Sequence, residues 1–228
     1  MQIQTLPKAL MAVAIGGLFA VGASSAFAQD TADLAVKGTI VPGACAATFT
    51  GGDTVDFGTI KVADLPADDH VLIGERKTAL NVDCAAKKQV WFSLTDSKAD
   101  TAIQNTKMYT ALSGGVLSAR HVLGLGAASV DAKTVNLGSY TISSNGRKVD
   151  GKVGTNMHSG DKGQTWTSGV MVLTTDRTFS VGDGTALTAG KSFSFPLTIK
   201  AALNLGSELQ VAQDTKLNGE AVFSINYQ

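Results

Sequence analysis

The sequence predicts an all-β protein built as an antiparallel β-sandwich. Three observations carry that prediction. Short runs alternate apolar and polar residues with a period of two, the signature of half-buried strands. Turn-forming pairs (Gly51-Gly52, Gly114-Gly115, Asn145-Gly146, Asp183-Gly184 and Asn218-Gly219) separate those runs. Glycine accounts for 25 of 228 residues while aromatics make up only 6%, a composition suited to many short strands joined by tight turns.

The first segment reads as an address rather than as structure. Lys8 is followed by an uncharged apolar run from Ala9 to Val21, and Ala26 and Ala28 then stand at the spacing a signal peptidase reads. Residues 1–28 are therefore expected to be a cleaved signal peptide of bacterial type, leaving 200 residues with the periplasm as first destination. No run reaches the roughly 18 uninterrupted apolar residues of a spanning helix, so no membrane span is expected. A chain of about 200 residues can bury one sizeable core. The 19 Lys and Arg balance 19 Asp and Glu, and neither half is strongly basic, so nucleic acid is not expected as a partner.

The strands are expected in this order. Ala32, Leu34, Val36 and Ile40 alternate with Asp33, Ala35, Lys37 and Thr39, and Gly38 stands where the next inward side chain would be. Residues 55–60 form a second candidate, and 78–84 a third with Leu80, Val82 and Cys84 on one face. In 90–94 Trp91 and Phe92 point to opposite faces, so one of them is core. Runs at 122–125, 135–142, 169–174 and 192–203 follow, and 220–227 closes the set with Ala221, Phe223, Ile225 and Tyr227 on one side. Only 101–117 hints at a helix, while 145–166, rich in Gly, Lys, Asp and Ser, reads as a long solvated hairpin or loop. An outer-membrane barrel needs strands of roughly ten residues with aromatic girdles. These strands are shorter and aromatic-poor, which favours the sandwich.

The two cysteines, Cys45 and Cys84, lie 39 residues apart. In an oxidising compartment such a pair is most simply a disulfide, and the close Cys-x-x-Cys spacing of metal and redox sites is absent. Closing that loop stabilises the fold by about 4 kcal/mol in the chain-entropy account. His70, His121 and His158 have no second histidine at metal spacing and are expected as surface or capping residues. Asp68-Asp69-His70 follows Pro66 in a polar turn, and Gly182-Asp183-Gly184 reads as a hairpin turn. Ser159-Gly160 and Ser168-Gly169 lack the Gly-x-Ser-x-Gly pattern of a nucleophile elbow. No catalytic residue, metal or cofactor is expected, and the protein is not expected to be an enzyme.

Both the 29–41 segment and the closing strand are strand-like, and neither carries the proline or covering segment that natural proteins use to blunt an edge. They read as built to pair. Taken in order, Val36-Lys37-Gly38, Cys45, Val55-Asp56-Phe57-Gly58-Thr59-Ile60, the run from Ala79 to Cys84, Val90 to Leu94, the run from Phe195 to Leu203 and the terminal Phe223 to Gln228 with penultimate Tyr227 resemble the subunits of chaperone–usher fimbriae, the pilins of Gram-negative bacteria. The resemblance covers nearly all of the chain after the signal segment, with 97–190 matching only as a strand pattern. Two departures mark a divergent branch of pilin-like proteins. The middle is long, and the glycine that pilins carry ahead of the last strand is missing, with Thr215 in that region and Gly219 nearer the end.

The resemblance implies an immunoglobulin-like sandwich over 42–228, incomplete and completed by a donor strand. A periplasmic chaperone, and then the N-terminal extension of a neighbouring fimbrial subunit, would fill a groove beside the last strand during passage through an outer-membrane usher to the cell surface. Ala32, Leu34, Val36 and Ile40 would be the donor side chains, and Gly38 would pass a narrow point in the groove. Ala221, Phe223, Ile225, Tyr227 and Gln228 would form the strand that meets the chaperone or neighbour. The implied role is adhesion or biofilm, with a host or surface receptor as a further partner. The same residues also fit a simpler role. In that role 32–40 is the first core strand of a self-complete secreted binding module, for example for carbohydrate, that does not polymerise.

Overall fold

The computed structural model describes residues 45–211 and 213–228. The signal segment and the expected donor residues Ala32, Leu34, Val36, Gly38 and Ile40 lie outside the described residues. In chain order the elements are β1 (Cys45–Phe49), β2 (Val71–Lys88), β3 (Val90–Asp96), a helix α1 (Thr106–Ser113), β4 (Leu123–Gly124), β5 (Ala127–Val130), β6 (Lys133–Asn136) and β7 (Gly138–Ser143). They continue with β8 (Lys148–Val149), β9 (Lys152–Val153), β10 (Thr155–Ser159), β11 (Thr167–Ser168), β12 (Thr178–Gly182), β13 (Gly190–Leu203) and β14 (Ala221–Tyr227).

Two antiparallel sheets form the sandwich. One runs β1-β2-β13-β7-β4, with the β8–β9 ribbon also attached to β13, and the other runs β11-β10-β12-β3-β14. The chain passes from one sheet to the other at Gln89, between β2 and β3. Period-two alternation decides which side chains meet between the layers. Leu80 and Val82 of β2 and Phe193, Phe195, Leu197 and Ile199 of β13 face Phe92, Leu94, Phe179 and Val181 of the opposite sheet. Phe92 is the hub, with its ring centroid 5.0 Å from Phe195, 5.7 Å from Phe179 and 5.6 Å from Phe223. Trp91 is accordingly the outward member of the Trp91–Phe92 pair.

The long strand β13 accommodates a proline because of where its neighbours stop. On one side it pairs β8 at Phe193 and Ser194 and β7 from Thr198 onward, leaving Pro196 opposite a gap. Ser192 directs its N–H and C=O to that same side, towards Asp150. By alternation Pro196 faces it too, so its missing N–H removes no ladder bond. Where β2 meets β13 near Ala201 and Ala202 the register skips Ile73, and Gly74 takes φ 132° at that bulge, a conformation only glycine adopts readily.

The structure departs from the sequence expectations in several places. Residues 55–60 form no strand; Val55, Phe57 and Ile60 pack half-buried on the core as irregular chain. The run 135–142 splits at buried Leu137, because β6 pairs β5 in a separate hairpin whereas β7 pairs β13. Residues 169–174 carry only one isolated bridge, Val172 to Ser143, and 122–125 contracts to β4. The region 145–166 is not a solvated loop: it contributes β8, β9 and β10 and buries Arg147, Met157 and Ser159. With β11 and β12 it builds most of the second sheet, so the middle of the chain is framework rather than decoration. The hint of helix is borne out as α1, capped by Asn105, which accepts from the Met108 N–H at 2.8 Å, and closed by Gly114 at φ 76°. Met108 and Leu112 bury against Leu117, Val122 and Ala202 on the outer face of β13, a small second core.

Candidate functional site

The second sheet ends at β14, and among the described residues no strand pairs with its other side. Its partner β3 matches it from Ala221 opposite Asp96 to Tyr227 opposite Val90. Gln228 and Gln89 exchange both backbone hydrogen bonds, at 3.0 and 3.1 Å, and the Ser97 N–H donates to the Glu220 carbonyl. Alternation then directs the N–H and C=O groups of Ala221, Phe223, Ile225 and Tyr227 away from β3, toward the open side. The side chains of the same residues point into the sandwich.

That inward face is only partly covered. On β3, Val90, Phe92 and Leu94 are at most 1% exposed, whereas Ala221, Phe223 and Ile225, facing the same core from the next strand, are half-buried. Tyr227 is 41% exposed. Alternation is the same in both strands, so the difference comes from position at the edge. Across the sandwich, β1 is likewise an edge strand among the described residues, and the two edges touch where Phe49 meets Phe223 at 5.4 Å in an edge-to-face contact. The Cys45–Cys84 disulfide is formed and fixes β1 to β2 at the start of that edge.

Beside this contact the layers part around a cavity of about 1250 Å³. Its inner wall is the core face of the first sheet, with Tyr140, Ile142, Leu197, Ile199 and Leu203, and its outer rim includes Ala221 and Phe223. Two irregular stretches lean over it, 52–62 and 213–219. The first is held by Arg76, which donates to the Asp56 carbonyl at 2.8 Å and lies over the Phe57 ring at 5.1 Å. In the second, Gly219 lies against the Tyr140 ring so closely that a Cβ would come within 2.9 Å of it. Burial pushes the Tyr140 phenol upward, and the nearby Asp96 and Glu220 carboxylates add to that shift. The inner wall of the cavity is thus apolar apart from a neutral phenol, while the two irregular stretches add Asp53, Asp56, Lys61, Asp214 and Lys216 to its lining. An extended segment with alternating aliphatic side chains fits both demands at once: its backbone can satisfy the free edge of β14 and its side chains can fill the space.

The histidines do not converge. His121 Nδ1 lies 3.1 Å from the Ser118 N–H and 3.0 Å from its hydroxyl, closing a capping box. His70 contacts the Asn105 amide at 3.2 Å, and Asp69 pairs with Lys107 at 3.2 Å instead of with the imidazole. His158 lies on β10, far along the sheet from β14. Burial pushes all three imidazoles below their ordinary value. Among the described residues no cluster of His, Cys, Asp or Glu is placed to hold a metal ion.

One buried cation escaped the reading of the sequence. Arg147 is fully buried, donates to the Met157 and Ser180 carbonyls at 2.8 and 2.7 Å and to the Ser144 hydroxyl at 3.2 Å, and lies over the Phe179 ring. Burial alone lowers its guanidinium to about 10, still charged at neutral pH. From the turn that follows β7 it ties β10 and β12 of the second sheet together. No pattern in Asn145-Gly146-Arg147-Lys148 could have marked it, since the string reads as a turn.

Similarity to known proteins runs over the whole chain. It is 29% identical to Protein GltF of Escherichia coli (strain K12), the alignment covering 96% of this chain and 98% of GltF. It is 24% identical to the uncharacterized protein YhcF of the same strain, over 90% of this chain and 94% of YhcF. The model of one family, described as protein of unknown function (DUF1120), matches residues 34–149, a span that takes in the end of the expected donor segment, β1, β2, β3 and the chain as far as β8. That match covers just over half of the 228 residues, and the chain therefore belongs to the DUF1120 family.

Proposed function

We propose that this protein is a structural subunit of a bacterial surface fimbria, carried through the periplasm by a chaperone, delivered to an outer-membrane usher and joined to neighbouring subunits by donor-strand exchange. Adhesion or biofilm is the role this assembly serves. The observation that supports the reading is the edge of β14, unpaired among the described residues, beside a cavity with an apolar inner wall, with Phe223 and Ile225 half-buried where their neighbours on β3 are fully buried. In this reading the 29–41 segment of one copy lies along β14 of the next, with Ala32, Leu34, Val36 and Ile40 entering the cavity and Gly38 passing a narrow point. Three or four aliphatic side chains at about 1.5–3 kcal/mol each, plus a row of backbone bonds, hold such a joint without nucleotide or metal. The joint uses no catalytic group.

Deleting residues 30–36 tests the reading in cells that express the chaperone and usher. The expected result is a soluble, chaperone-bound subunit that does not enter fibres. Fibres assembled as efficiently as with the full chain would sink the donor assignment. The self-complete alternative makes the opposite prediction in isolation: a monomer that refolds fully without chaperone or added strand.

A further inference from the structure

We propose that the outer face of the β3–β14 pair is a binding face for a neutral hexopyranose, with Trp91 and Trp166 as its platform. The inward side chains of these strands are core, so Trp91, Ser93 and Thr95 on β3 and Val222, Ser224 and Asn226 on β14 point outward. None of the six is charged, in a chain where 17% of residues are Asp, Glu, Lys or Arg. Asn226 stands directly opposite Trp91 and Ser224 directly opposite Ser93, so amide and hydroxyl groups flank the indole along and across the sheet.

The second indole arrives from another element. Trp166 packs edge-to-face on Trp91, with ring centroids 6.3 Å apart and planes at 66°. It is held there by a closed hydrogen-bond knot. Asp161 Oδ1 accepts from the Ser159 hydroxyl at 2.6 Å and from the Gln164 and Thr165 N–H groups at 3.1 and 2.9 Å, and Oδ2 accepts from the Thr165 hydroxyl at 2.6 Å. The Ser159 hydroxyl oxygen in turn accepts from the Gly163 N–H at 2.8 Å. Gly163, at φ 93°, lies under both indoles: a Cβ there would fall 3.4 Å from Trp166 and 3.5 Å from Trp91 Nε1. The loop therefore presents Trp166 in a fixed place, which removes most of the ordering cost of binding.

Both indoles remain partly exposed. A hexopyranose has a C–H face and a rim of hydroxyls. The C–H face suits an indole plane, while the rim suits the surrounding Ser, Asn and exposed Gln164 side chains. The six strand side chains offer no charge to compensate a carboxylate, which recommends a neutral sugar over an acidic one, and the loop beside them carries one charge of each sign, Asp161 and the exposed Lys162. This face lies on the far side of the sheet from the cavity, so a sugar bound there leaves the β14 edge free.

The chain supplies its own probe, because its two tryptophans are the two in this site. The intact protein is titrated with methyl galactopyranoside, methyl glucopyranoside and N-acetylglucosamine while tryptophan emission is followed. At least one is expected to give a saturable shift with Kd on the order of 1 mM, weakened at least about tenfold by Asn226→Ala and by Ser224→Asp, both exposed substitutions that leave the core untouched. No saturable shift with any of the three overturns the proposal, as does a shift that both variants preserve. Sedimentation completes the test: a dimer that Ser224→Asp dissociates assigns the face to a second copy and also overturns it. The measurement is made on folded protein, with a synthetic 29–41 peptide, which carries no tryptophan, added to occupy the β14 edge, and it needs no usher or fibre; its failure therefore leaves the fimbrial reading standing, and failure of that reading leaves this result unaffected.

Discussion

Phe223→Ala separates an edge waiting for a strand from an ordinary edge. Phe92, 0% exposed at the hub of the core, sets the scale, since its truncation to Ala costs about 3–5 kcal/mol. Phe223 faces the same core and touches Phe49 and Phe92 at 5.4 and 5.6 Å, but it is half-buried, so its truncation costs about 2 kcal/mol in the free protein. In a domain of this size that lowers the melting midpoint by about 4–8 °C. If 29–41 lies along β14, a synthetic peptide of that sequence added to a chain lacking it covers Phe223 and raises the cost of the substitution toward that of Phe92. The additional 1–2 kcal/mol, roughly, appears as about tenfold weaker peptide binding by Phe223→Ala, read from urea unfolding at several peptide concentrations. Equal peptide affinity for the Phe223→Ala variant and its parent would refute the reasoning, because the segment would then not touch this side chain.

Other consequences are tested more simply. Arg147→Ala orphans the Met157 and Ser180 carbonyls and leaves a large hole, so urea unfolding should show a loss of about 3–5 kcal/mol; an unchanged midpoint would contradict the clamp. Replacing both Cys45 and Cys84 by Ser opens a 39-residue loop and should cost about 4 kcal/mol, with the wild type under strong reductant moving to match. Acid should destabilise the protein in two stages. The fold keeps His70, His121 and His158 neutral, chiefly by burial, so the unfolded chain takes up these protons first and stability declines as pH falls below about 6.5. The hydrogen bonds that hold Asp161 and Asp183 below the usual carboxylate range contribute stability above about pH 4, lost as pH falls through the folded values. Melting midpoints that rise on acidification below about pH 6 would contradict the sign.

The strands were legible wherever one face is core and the other wet. Alternation at Phe193, Phe195, Leu197 and Ile199 and at Phe223 and Ile225 placed β13 and β14 within two residues of their ends. It misled at 55–60, where Val55, Phe57 and Ile60 have the right spacing but no neighbouring strand offers a ladder. Periodicity records which side chains seek the core and says nothing of what the backbone pairs with. The opposite error fell on 145–166, where polar residues hide β10 because its outward side is covered by the Ser159–Trp166 loop and its buried cation is satisfied by carbonyls. Of the site, the inward residues of β14 were readable. Their partial burial, the cavity beside them and the Trp91–Trp166 contact were not, since each depends on elements far apart in the chain.

By itself the sequence determined the all-β class, the disulfide, the faces of the long strands and the amphipathic ending, because each follows from a local period or a simple pairing. Only the tertiary structure decided that β14 is the outermost strand of its sheet among the described residues, that a cavity lies beside it, that Arg147 is buried and that Trp166 meets Trp91. Edge position, a gap between layers and the company a side chain keeps are relations between distant segments, and no local pattern encodes them.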